Sequence, residues 1–122
     1  MNPNRYIYHI TTEEAWQQAK PSGWYTPSNL AVDGFIHCSA LKQIPPVAKR
    51  LFAGQTGLVL LQIQTNRLDV KVVYENLEGG AELFPHIYGK LNVSAVSRVV
   101  LFVTGADGNF ILPDWLEMEC PG

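Results

Sequence analysis

The chain has three histidines, each set in an apolar, strand-like stretch: "YIYHIT" (His9), "GFIHCS" (His37) and "LFPHIYG" (His86). A hydroxyl follows each of them two positions later, on Thr11, Ser39 and Tyr88. Side chains alternate across a strand, so each motif presents an imidazole and a hydroxyl on one face. Burying such groups without partners costs about 1–3 kcal/mol each. Polar stripes of this kind therefore persist where their members satisfy one another or line a cleft. Imidazole and hydroxyl groups suit ribose hydroxyls and phosphate oxygens, and histidine is the side chain best placed for proton transfer near neutral pH.

Other chemistry fits the same residues. Satisfied core histidines would look alike, with Thr11 closing a capping box, Ser39 capping the next helix and Tyr88 in the core. Three histidines from separate strands also fit a zinc site with an open fourth position for water, although no HExxH or short His-x-His spacing accompanies them. A non-catalytic module for a nucleotide or modified nucleobase is the third reading, with Trp24 and Tyr25 as stacking platforms. Cys38 alternates to the face opposite His37, toward the core, where burial blunts a thiol, so the two are not a nucleophile pair. Asp33 and Glu82 flank the histidine motifs and are placed to orient an imidazole.

The elements that carry these residues follow from pattern. "RYIYHI" predicts a strand over Arg5–Ile10. Thr11 and Glu14 have capping-box spacing, and good helix formers up to Pro21 and Gly23 predict a helix over Glu13–Lys20. "PSGWYTPSNLAVD" predicts a loop exposing Trp24 and Tyr25. "GFIHCS" predicts a short strand, and "ALKQIPPVAKRLFAG" a helix with Pro45 and Pro46 near a first turn or a kink and Gly54 at its end. "LVLLQIQ", Leu58–Gln64, is the most continuous apolar run and predicts a central strand, while "VKVVYE" predicts a half-buried one. "HIYG" follows a glycine-containing loop. "NVSAVSRVVLFV" predicts a short turn or helix capped by Asn92 and then a strand, and "TGADGNFILP" a hairpin through Asp107 and Gly108. Early helices followed by strands without regular alternation indicate an α+β fold.

Composition narrows the class. A length of 122 residues with 47% hydrophobic content fits one core and one domain, expected over 1–116 with a frayed tail at 117–122. A net charge of −2 without charge runs gives no footprint for duplex nucleic acid or an anionic membrane. Two cysteines without C-x-x-C spacing, no signal-peptide layout and no run of about 20 apolar residues lead us to expect a cytoplasmic protein.

The set "YHIT", "DGFIHCS", "LVLLQI" and "ELFPHIYG" followed by "RVV" resembles the bacterial family known as domain of unknown function 952, from Tyr6 to about Phe102. That family's layout resembles the ADP-ribosyltransferase superfamily, in which NAD binds in a cleft between two small sheets. The resemblance implies a split mixed or antiparallel sheet with two or three helices and NAD or a related nucleotide as small-molecule partner; without metal-ligand spacing, no metal is expected. It further implies that His9 and Thr11 grip the ribose or phosphate, that His37 and Ser39 lie around the nicotinamide half, and that His86 stands where protein-modifying transferases place a glutamate. A histidine supplies no fixed negative charge, and Glu82 substitutes only if its loop folds back. The pattern is therefore similar to the divergent branch that acts on RNA 2′-phosphates, whose several arginines this chain lacks. The expected cleft is lined by His9, Thr11, His37, Ser39, His86 and Tyr88, with His37 and His86 as the catalytic candidates.

Overall fold

In the computed structural model, residues 5–28, 30–52, 54–76 and 82–102 are described. The hairpin expected through Asp107 and Gly108 and the tail 117–122 lie outside them. Among the described residues the architecture is mixed α+β: antiparallel strands in three small sheets, with three helices.

The first strand, β1 (Tyr6–Thr12), runs two residues past its expected end and leads into α1 (Glu13–Ser22). The shift moves the helix cap. Thr12, not Thr11, is the N-cap, and its hydroxyl accepts the Ala15 N–H at 3.1 Å. Thr11 stays in the strand with its hydroxyl available for other work. The last turn of α1 takes in Pro21, and Gly23, at φ 81, closes the helix by donating its N–H to the Ala19 and Lys20 carbonyls. The segment expected as a loop then forms a two-residue strand, β2 (Trp24–Tyr25), and a single turn, α2 (Leu30–Asp33). Gly34, at φ 83, turns the chain from α2 into β3 (Ile36–His37). After a 3-10 turn at Leu41–Gln43 comes α3 (Ile44–Phe52), with Pro45 and Pro46 in its first turn, where no helical N–H is required of them.

The predicted central strand is β4 (Leu58–Gln64), bounded as expected and hydrogen-bonded between β1 and β8 (Val96–Phe102). Its continuous apolar character follows from having a core on each face. Val59, Leu61 and Ile63 pack with Ile7, Trp16, Tyr25, Ile36 and Ile87, whereas Leu58 and Leu60 pack with Tyr8, Ile10, Ile44, Ala48 and Phe102. Gln62 is buried on the second face, where it reaches the Tyr8 hydroxyl and Ser97. A further sheet is ordered β3-β6-β5, with β5 at Val72–Glu75, half-buried throughout, and β6 at Phe84–Ile87. The third sheet pairs β2 with β7 (Leu91–Asn92). The turn after β7 begins at Asn92 as expected, but the Asn92 side chain does not cap it: it bonds the Arg67 carbonyl and the Asp69 N–H.

One contact joins the two larger sheets beside the histidines. Tyr8 of β1 and Ser39, just past β3, exchange backbone N–H···O bonds of 2.8 Å each. His9 on the edge strand of one sheet is thereby brought against His37 in the other.

Candidate functional site

A pocket of about 490 Å³ opens where β1, the β3–β6 pair and α3 meet. His9, Thr11, His37, Ser39 and His86, from three separate sequence motifs, line it together. On the α3 side its wall is Val47, Arg50 and Leu51, spaced i, i+3 and i+4 on one helix face, with Phe52 at the helix end. Tyr88 does not line the pocket.

His9 is committed on both ring nitrogens. Nδ1 lies 2.6 Å from the His37 carbonyl oxygen and Nε2 lies 2.9 Å from the Tyr25 hydroxyl. A carbonyl only accepts, so Nδ1 carries the proton. In the neutral ring, Nε2 is then bare and accepts from Tyr25. Tyr25 has one proton to give, so across its 2.8 Å contact with Thr11 it receives the threonine's. A single carbonyl therefore sets the direction of a chain running Thr11 to Tyr25 to His9. Burial, reinforced by nearby His37 and only partly offset by the carbonyl bond, lowers the His9 pKa to about 4, so the ring is neutral at physiological pH. The same burial pushes the Tyr25 phenol above its ordinary value, against the opposing Thr11 bond.

His37 and His86 are arranged differently. They sit opposite each other in the β3–β6 register, with ring centroids 5.3 Å apart and nearly perpendicular planes. Each is held from behind by a carboxylate. His37 Nε2 meets Asp33 at 3.2 Å, and His86 Nδ1 meets Glu75 at 2.9 Å. Glu75 also accepts the Tyr88 hydroxyl at 2.6 Å. That bond first, and the His86 bond next, hold the Glu75 carboxyl below its usual range, while the Tyr88 phenol is raised by the bond it donates. Phe35 stacks on His86 at 4.2 Å and tilts against His37 at 4.8 Å, fixing both rings. Each imidazole thus keeps one nitrogen, His37 Nδ1 and His86 Nε2, outside these carboxylate bonds.

Asp33 orients an imidazole as expected, but Glu82 does not. Its carboxylate accepts from Gln43 at 3.4 Å, outside the pocket lining, and Glu75 holds His86 instead. Two aromatics also depart from expectation: Trp24 is exposed but off the pocket lining, and Tyr25, expected on the surface, is only 4% exposed and is the hub of the His9 chain. The sequence signal for Tyr25 is weak, because a two-residue strand has no period to read. Cys38 is buried in the core as expected, and burial raises its thiol pKa. The zinc arrangement finds no support here: both His9 nitrogens are engaged, and among the described residues no group of three His, Cys, Asp or Glu side chains could hold a metal ion. No described helix is long and apolar enough to cross a membrane.

Comparison with known proteins follows the same extent of chain. Residues 10–99 match the family model described as "Protein of unknown function (DUF952)", and the chain belongs to that family. It is similar to the crystal structure of protein CC0527 from Caulobacter crescentus, with a TM-score of 0.81 and 37% identity, covering 92% of this chain and 98% of that one. The solution NMR structure of CC0527 gives a TM-score of 0.77 at 39% identity, over 94% of this chain and 99% of that one. No curated protein matches.

Proposed function

We propose that this member of the DUF952 family binds NAD or a related nucleotide in the histidine-lined pocket, with His37 and His86 as its proton-donating pair. The observation that carries the reading is the convergence of five motif residues on one cavity of about 490 Å³, within the roughly 300–1,000 Å³ usual for small-molecule sites. The lining is divided as a nucleotide would need, with the His37 and His86 imidazoles and the Ser39 hydroxyl at the β3–β6 end and, on α3, the apolar Val47, Leu51 and Phe52 beside Arg50. The likeness to ADP-ribosyltransferases is supported by the pocket's place, where β1 of one three-stranded sheet meets β3 and β6 of another.

Among the described lining residues there is no carboxylate, whereas Arg50 and three imidazoles are present. An oxocarbenium-like transition state gains little from such a site, and a phosphorylated substrate gains more. Of the two transfer chemistries, the one directed at a phosphate suits this pocket better. Calorimetric titration with NAD, ADP-ribose and a 2′-phosphorylated oligoribonucleotide tests the reading. Saturable binding of at least one, lost in a folded His37→Ala, His86→Ala double variant, is the expected result. Silence toward all three would refute it.

A further inference from the structure

Three polar atoms of the pocket have no partner among the described residues. No buried side-chain nitrogen or oxygen among the described residues lacks a hydrogen bond. His86 and Ser39 are only 4% and 7% exposed, yet His86 Nε2 and Ser39 Oγ make no such bond, so both atoms must reach the pocket surface. His37 Nδ1 is the third. Ser39 and His37 line the same pocket, and His37 faces His86 across the β3–β6 ladder.

We propose that His37, His86 and Ser39 seat the phosphoryl group of the bound nucleotide, and that its base lies against Val47, Leu51 and Phe52. The proposal deepens the nucleotide-binding reading and rests on it. It also moves the phosphate away from His9, whose nitrogens are both engaged and whose ring stays neutral.

Charge and geometry favour this end of the pocket. Two imidazoles with centroids 5.3 Å apart can each donate to one oxygen of the same phosphate, with the serine hydroxyl on a third. Phe35 and the two carboxylates hold the rings in place, so little side-chain freedom is lost on binding. The carboxylates also dictate how a proton enters. A neutral imidazole bonded N–H first to a carboxylate turns a bare nitrogen to the pocket, and a bare nitrogen repels a phosphate oxygen. Binding therefore takes up protons, and the ion pairs with Asp33 and Glu75 balance the charge.

The surrounding groups do not supply those protons. Tyr88 and Tyr25 are held as neutral phenols, the buried Cys38 thiol stays protonated, His9 stays neutral and Glu75 stays ionised. Asp33 faces His37 as its partner.

The test is calorimetry of the full chain with AMP, adenosine and inorganic phosphate between pH 7 and 8.5, where a phosphomonoester is already a dianion. AMP is expected to bind at least tenfold more tightly than adenosine, with proton uptake revealed by buffers of different ionisation enthalpy. AMP affinity should fall as pH rises while adenosine affinity stays level, and inorganic phosphate should compete with AMP. His37→Gln and Ser39→Ala, both at the pocket surface, should bring the AMP-to-adenosine ratio down without changing adenosine binding. His86→Gln should do the same, with a thermal melt to verify folding. Equal affinity for AMP and adenosine in the wild type, or an unchanged ratio in the His37→Gln and Ser39→Ala variants, would overturn the phosphate seat while leaving nucleotide binding standing. Failure of NAD, AMP and adenosine alike to bind would overturn both.

Discussion

His9 and the His37–His86 pair carry the same side chain in similar apolar strands, each two residues before a hydroxyl, yet the fold uses them in opposite ways. His9 is a strut. Its two nitrogens tie β1 to the His37 carbonyl and to Tyr25, and so bind three elements together. His37 and His86 each spend one nitrogen on a carboxylate and keep the other toward the pocket. The difference arises from what lies behind each ring. A carbonyl and a phenol exhaust His9, whereas a carboxylate orients an imidazole and leaves its far side available. Motif resemblance gave the three histidines similar ligand-facing roles, and hydrogen-bond geometry separates them.

The sharpest way to break this contrast is His9→Ala. Removing the ring takes the side-chain donor from the His37 carbonyl and one of two partners from the Tyr25 hydroxyl, and we expect a loss of about 2–4 kcal/mol by chemical denaturation. An effect below about 0.5 kcal/mol would make His9 a pocket residue like the others.

Acid should expose the same strut. The folded-state pKa of His9 is lowered to about 4 from an ordinary 6.5, so between those values the unfolded chain binds a proton that the folded chain refuses. The His9 contribution is complete above pH 6.5 and is lost as pH falls toward 4, by up to about 3 kcal/mol. His9→Asn, whose amide can still donate to the His37 carbonyl, should flatten that slope in denaturation curves collected across the range.

Tyr25→Phe removes the hub of the chain and should cost about 1–2 kcal/mol, while weakening ligand binding less than His37→Ala does. His37 is solvent-exposed, so His37→Ala should shift stability by under about 0.5 kcal/mol yet lower nucleotide affinity at least tenfold in calorimetry. The smallest effect belongs to Trp24→Ala. Its ring is 42% exposed and off the pocket lining, so nucleotide affinity should stay at the wild-type value.

Much of this division was legible before the fold was known, and the rest was not, for physical reasons. The run Leu58–Gln64 declared a strand buried on both faces, and the His-x-hydroxyl spacing marked candidates for a shared cleft. Five of those six residues line one pocket. Thr11 and Thr12 offered two caps one residue apart, and only the length of β1 chose Thr12. Glu75 ends its strand with no local sign of a role. It reaches His86 because Val73 is paired with His86 and Glu75 lies two positions along the same face. Tyr25 becomes a hub only when β2 pairs with β7, a long-range contact that sequence spacing does not encode. Register between distant strands separates a strut from a ligand-facing imidazole.

The most direct test is nitrogen-15 NMR of the three imidazoles, followed from pH 7 to 5 and then with saturating NAD. We expect His9 to hold the neutral, Nδ1-protonated form throughout that range and to remain unmoved by the nucleotide, while His37 Nδ1 and His86 Nε2 shift on its addition. A His9 ring that becomes doubly protonated near pH 6.5, or a nucleotide response confined to His9, would contradict the account.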